Sequence, residues 1–164
     1  FNPNLEGGPI EKDQIHINNV YCSEDSIYFS AKRLNYLFQI KNEELFQYGS
    51  IPYGTHNAFP YKKGILLNNT ASNQISYLSE KGSSLKAFDI PFYKENELLN
   101  SNLSKDHARQ GFGRGLCIFD NLIIGGSSPA TISVYDFESG DKLKTVNITM
   151  DVRNSIHGLE IWPY

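Results

Sequence analysis

The sequence predicts an all-β protein built from repeated four-stranded antiparallel sheets, and three observations predict it. Aromatic residues make up 13% of the 164 positions, with ten Tyr and ten Phe, and aromatic side chains favour strands. Short runs of period-two alternation, bounded by Gly, Pro, Asn and Asp, follow one another, and no window holds the i, i+3, i+4 spacing of an apolar helix face. One plan of four strands also recurs, with openings that align as His16-Ile-Asn-Asn-Val20, His56-Asn-Ala-Phe59, Arg114-Gly-Leu-Cys-Ile118 and His157-Gly-Leu-Glu-Ile161. A repeat of about 40–50 residues with four strands each is the signature of a β-propeller. A β-sandwich is the main rival, since it too offers short, evenly spaced strands.

Residues 1–14, with Pro3, Gly7, Gly8 and Pro9, read as a tail or one edge strand. The first blade, about 15–54, reads as strands at Ile15–Tyr21, Ser26–Ser30, Tyr36–Ile40 and Glu44–Tyr48, broken by Gly49, Pro52 and Gly54. The second, about 55–90, reads as His56–Phe59, a turn at Pro60–Gly64, then Ile65–Asn69, Gln74–Leu78 and Leu85–Phe88. Residues 91–108 read as a polar surface insertion with a helical turn around Glu95–Leu99. The third blade, about 109–155, is the clearest: Arg114–Phe119, the tight turn Asp120-Asn121, Leu122–Gly125, Thr131–Phe137 and Lys142–Ile148. Residues 156–163 read as a closing strand. The expectation is a partial propeller of about three blades plus one terminal strand. Because propellers run from about four blades upward, the remaining blades are expected from a longer chain or a second subunit.

A net charge of −3 and a pI of about 5.8 offer no basic patch to a nucleic acid. No apolar run approaches the roughly 18–20 residues that cross a bilayer, and the start lacks the basic and apolar regions of a signal peptide, so a soluble, cytoplasmic protein is expected. Cys22 and Cys117 each fall inside a strand and outside any CxxC pair, and read as buried free thiols.

The pieces Ile15-His-Ile-Asn-Asn19, Thr55-His56 with Lys63-Gly-Ile-Leu66, Gly113-Arg-Gly-Leu116 with Ile124-Gly-Gly-Ser127, and a last apolar strand ending in Trp162-Pro163 span most of residues 15–163. In them the chain resembles the C-terminal half of a bacterial β-propeller family. Its propellers stand alone or adjoin sulfotransferase-like or glycosyltransferase-like domains. The resemblance implies the fold and carries no activity with it. The chain departs from that pattern at the insertion after the second blade.

The first strand of a propeller blade lines the central channel, so equivalent positions of successive first strands converge. His16, His56, Arg114 and His157 occupy one such position. Three imidazoles and a guanidinium round one funnel suit a carboxylate, sulfate or phosphate, with Arg114 as a bidentate donor. Asn18, Asn57 and Arg109 would add polar contacts on the same face, and His107 would sit on a loop over the channel mouth. His16, His56 and His157 could instead hold a divalent metal as cofactor, with Glu160 as fourth ligand or base. The plainer alternative is that these imidazoles only hydrogen-bond a neighbouring backbone. Gly111, Gly113 and Gly115 lack the strand-to-helix context of a phosphate cradle and read as a tight run into a strand. The expected function is a module recognising a small polar or anionic ligand, a saccharide among the candidates, at the axial funnel. The alternatives are a metal-dependent enzyme of lyase or oxygenase type and a scaffold assembling through its open sheet edges.

Overall fold

The computed structural model describes residues 16–31, 33–105 and 108–162; the tail at 1–14 and His107 lie outside them. The chain folds as three four-stranded antiparallel meanders. Blade one holds β1 (Ile17–Cys22), β2 (Ile27–Ala31), β3 (Tyr36–Lys41) and β4 (Glu44–Ser50). Blade two holds β5 (Thr55–Tyr61), β6 (Gly64–Asn69), β7 (Gln74–Leu78) and β8 (Ser84–Asp89). Blade three holds β9 (Gly115–Phe119), β10 (Leu122–Ser127), β11 (Thr131–Asp136) and β12 (Lys142–Asn147). Strands pair in chain order within each blade, as short connections and two-residue turns require.

The pleat explains why these sheets stack. Successive side chains of a strand point to opposite faces, so a sheet covered on both sides reads as a continuous apolar run. Blade two reads this way at Ile65-Leu66-Leu67, all three fully buried. Ile65 and Leu67 join Tyr28, Leu37, Ile51, Ala58 and Leu78 in a core against blade one. Leu66 faces the other way and joins Phe59, Ile75, Tyr77, Phe88, Leu116, Ile123, Tyr135 and Phe137 in a core against blade three. Burying a large apolar side chain contributes about 1.5–3 kcal/mol, so these two seams are the main cohesion between blades. Polar groups close the second seam: Lys86 Nζ donates to the Phe137 and Glu138 carbonyls at 2.7 and 2.8 Å, and Lys62 pairs with Glu138 over the Phe137 ring.

Four features differ from expectation. Pro60 does not break β5 but pairs with Ile65, and the turn shrinks to Lys62-Lys63. β5 is the innermost strand of its blade, where a proline's missing N–H costs no ladder bond. The insertion is anchored rather than free. It holds a single 3-10 turn at Glu95–Glu97; Gln110 brackets Tyr93, accepting from its N–H at 2.8 Å and donating to its carbonyl at 3.0 Å; and Leu99 bridges in parallel to Asp151. Residues 156–162 form no strand: Ile156 and Leu159 lie against Gly115 and Gly126, and no further strand stands beside them among the described residues. Both cysteines are free thiols, but Cys22 is exposed and only Cys117 is buried, where desolvation pushes its thiol up to about 11.

Candidate functional site

The inner edges of the three blades do converge. β1, β5, β9 and the segment 158–160 line one cleft of about 490 Å³, with Asn19, Tyr21, Asn57, Tyr61, Cys117 and Glu160 among its walls. A second cleft, about 450 Å³, opens where the chain enters β9 and leaves β10. Its walls carry Lys105, Arg109, Arg114, Arg153 and His157, with Phe112, Ser128 and Ser155 between them, and no carboxylate among the described residues.

Phe112 organises the second cleft. The guanidinium of Arg114 lies 4.4 Å from the ring centroid and that of Arg109 lies 5.0 Å from it, within the range of a cation–π attraction. Arg109 is also tied down: Nη1 donates to Asn73 Oδ1 at 2.6 Å and Nη2 to the Thr70 carbonyl at 2.7 Å. Arg114 donates no side-chain hydrogen bond among the described residues, so its fork of N–H donors is unspent. Desolvation lowers both arginines from their ordinary value, yet a guanidinium keeps its charge at neutral pH. Arg153 is partly neutralised by Asp151, which it grips with Nη2 at 2.6 Å and Nε at 3.0 Å. The hydroxyl of Ser155 is buried on this wall without a hydrogen-bond partner among the described residues.

The structure divides the residues that the repeat alignment groups together. Arg109, Arg114 and His157 share the cationic cleft. Asn57 and Glu160 line the inner-strand cleft. His56 lines neither: it is buried, its Nδ1 lies 3.0 Å from the Gly54 carbonyl, and its ring meets Phe112 edge-on at 5.6 Å. A bulge between His56 and Phe59 shifts the register of β5 there. Asn18 is a clasp between blades, donating to the Thr55 carbonyl at 2.8 Å and accepting from Ser30 at 3.2 Å. His16 is exposed ahead of β1 with φ of 52°. The expected metal set of His16, His56, His157 and Glu160 is therefore not assembled, and no three His, Cys, Asp or Glu side chains gather round a common point among the described residues. Sequence reasoning missed Lys105, Phe112 and Arg153. Phe112-x-Arg114 carries a readable signal, because alternate residues of an extended segment share a side. Lys105 and Arg153 reach the cleft only through the insertion and the segment after β12, which no local pattern announces.

No family model and no curated protein matches the chain. Solved structures do. The computationally designed Ika4 protein superposes with a TM-score of 0.59 at 11% identity, over 94% of this chain and 84% of its own. The WD40 β-propeller domain of Doa1 gives 0.55 at 13% identity, over 80% of this chain and 40% of its own. The fold is that of a partial β-propeller. The WD40 domain of Neurospora crassa Pan2 agrees, at a TM-score of 0.50 and 10% identity, over 85% of this chain and 41% of its own. The chain thus spans about two-fifths of either WD40 propeller. No helix in the described residues is long and apolar enough to cross a membrane.

Proposed function

We propose that this propeller module recognises a small anionic ligand, bearing a carboxylate, sulfate or phosphate, in the cleft around Phe112. One observation carries the reading: Arg114 presents an unspent guanidinium, 4.4 Å from the Phe112 ring centroid, among further cations and, among the described residues, no lining carboxylate. Such a fork matches a planar or tetrahedral anion bidentately, and the cations round it raise the local anion concentration. A cleft of this size suits a ligand of metabolite dimensions. The test is calorimetric titration with sulfate, phosphate and citrate at low salt. Arg114→Ala is expected to weaken binding about tenfold or more, the worth of one charge-assisted contact. Binding unchanged in the variant, or absent in the parent protein, removes the reading.

The scaffold reading keeps a supporting observation of its own. The outer faces of blades one and three expose apolar side chains, among them Val20, Leu45 and Phe119. In this second reading, further blades from a longer chain or a second subunit cover them.

A further inference from the structure

The inner-strand cleft has the opposite character to the cationic one: its walls hold the Glu160 carboxylate and, among the described residues, no lysine or arginine. Asn57 stands in its wall at φ of 50°, in the left-handed region, inside the β5 bulge. Asparagine tolerates that conformation better than most residues, and bulges re-aim side chains beside binding sites. A buried neighbour fixes how the Asn57 amide is turned. Asn68 is fully buried and donates to the Gly115 carbonyl at 3.1 Å. A carbonyl only accepts, so the Asn68 atom there is its nitrogen. The same nitrogen reaches Asn57 at 3.2 Å and so must meet the Asn57 oxygen. That leaves the Asn57 NH2 group as the end without a protein partner among the described residues, on a residue that lines the cleft. Beside it Tyr21, stacked on Phe59 with centroids 5.0 Å apart and 39% exposed, offers an aromatic face. Tyr61 adds a second ring, braced edge-on by Phe137 at 4.9 Å.

We propose that this cleft is a second binding site, and that its ligand is an uncharged pyranose ring. A pyranose lays its C–H face on an aromatic ring, and each of its hydroxyls both donates and accepts. One hydroxyl accepts from the Asn57 amide while another donates to Glu160. The pairing of a free donor with a carboxylate acceptor selects against the rival occupant, an organic ammonium, which suits Glu160 and the tyrosines but has no acceptor for Asn57.

Saturation-transfer NMR with the methyl pyranosides of glucose, galactose, mannose and N-acetylglucosamine tests this on the intact chain. At least one pyranoside should receive magnetisation on its ring protons. Asn57→Gly is the decisive variant, because glycine accepts the positive φ without strain and, although it also removes the oxygen that accepts from Asn68, leaves the Asn68 nitrogen its bond to the Gly115 carbonyl. It should keep the thermal midpoint and weaken the pyranoside about two- to tenfold, the worth of one neutral hydrogen bond. Tyr21→Ala should abolish the transfer, and Arg114→Ala should leave it unchanged, so that this site and the anion site fail separately. No transfer to any of the four sugars, equal transfer in Asn57→Gly, or transfer to tetramethylammonium alone overturns the proposal.

Discussion

Gly64 shows how one absent methyl group sets a register. A β-carbon at this position would stand 2.3 Å from the Leu78 carbonyl oxygen and 2.8 Å from the Tyr77 ring. Both neighbours are fixed: one is ladder backbone and the other a core aromatic. Gly64→Ala must therefore push β6 away from β7, where Ile65 pairs with Leu78. Overpacking of this kind costs about 1–3 kcal/mol. The expected result is a lower urea midpoint with an unchanged slope; an unchanged midpoint would show that the strands yield freely. The histidines show what residue-level reading misses. Repeat alignment finds where β1, β5 and β9 open, because the backbone period is written in the turns and alternation, but its fourth opening, at His157, begins no strand. It does not give the direction of a side chain. At His56 a bulge shifts the register of β5, and the imidazole ends beside the Gly54 carbonyl instead of in either cleft. Arg114 was legible because the repeat alignment places it at the opening of β9, but its platform Phe112, two positions earlier, was not read.

At the scale of elements, Asp151 joins two segments whose strand patterns are weak. Its carboxylate receives Arg153 through the side chain and the backbone N–H, the latter at 3.0 Å, and Asn100 Nδ2 at 2.9 Å from the insertion. Around it Leu99 N–H donates to the Met150 carbonyl at 3.0 Å and Val152 N–H to the Leu99 carbonyl at 3.2 Å. The hydrogen bonds from Arg153, followed by its charge and the Asn100 amide, hold the carboxyl down at about 2, below its ordinary 3.8. The unfolded chain has no such partners, so between those two values it binds more protons than the folded chain. This contribution is therefore fully present above about pH 4 and fades as pH falls through about 2. Urea midpoints measured across that window should fall more steeply for the parent protein than for Asp151→Asn; equal slopes would mean the clasp is not linked to folding. The clasp also shows what the reading of residues 91–108 as a polar surface insertion with a helical turn leaves out. Its partners lie about fifty positions away, and composition alone registers only the polar, Asn-rich stretch. The closing segment 156–162 fails for the complementary reason. Its alternation suits a strand, but a strand needs a ladder of hydrogen bonds to a neighbour, and among the described residues the ladder to β10 goes no further than the Ile156 N–H, 3.4 Å from the Ser127 carbonyl.

At the scale of the molecule, the three blades are not equivalent. Blade two is covered on both faces, whereas blade one is covered on one. Its register places Val20, Phe29 and Phe38 in one row and Cys22, Ile27, Ile40 and Leu45 in the next, all on the face away from blade two. Neither row contains a charge, and Phe29 and Phe38 stack at 5.3 Å. Val20, Ile27, Ile40 and Leu45 are 60%, 42%, 37% and 61% exposed. A contiguous apolar sheet face of this kind marks an interaction surface, and covering it recovers about 25 cal/mol for each Å² removed from water. Blade three sets Cys117, Ile124 and Val134 in one row, which ends at Lys144, and Phe119 beside Leu122 in another, which ends at Asp136. Apolar side chains exposed on both end blades favour contact between copies. The 164-residue chain should therefore associate in solution, with a light-scattering mass above that of one 18.6 kDa chain. Leu45→Lys places a charge on the edge strand of the uncovered face without touching either buried seam. It should return the mass to that of a single chain and leave the thermal midpoint, extrapolated to low concentration, where it was. A parent protein already at single-chain mass would show that these faces do not hold copies together, and a variant that loses stability at every concentration would place Leu45 inside the fold's own cohesion instead of at its boundary.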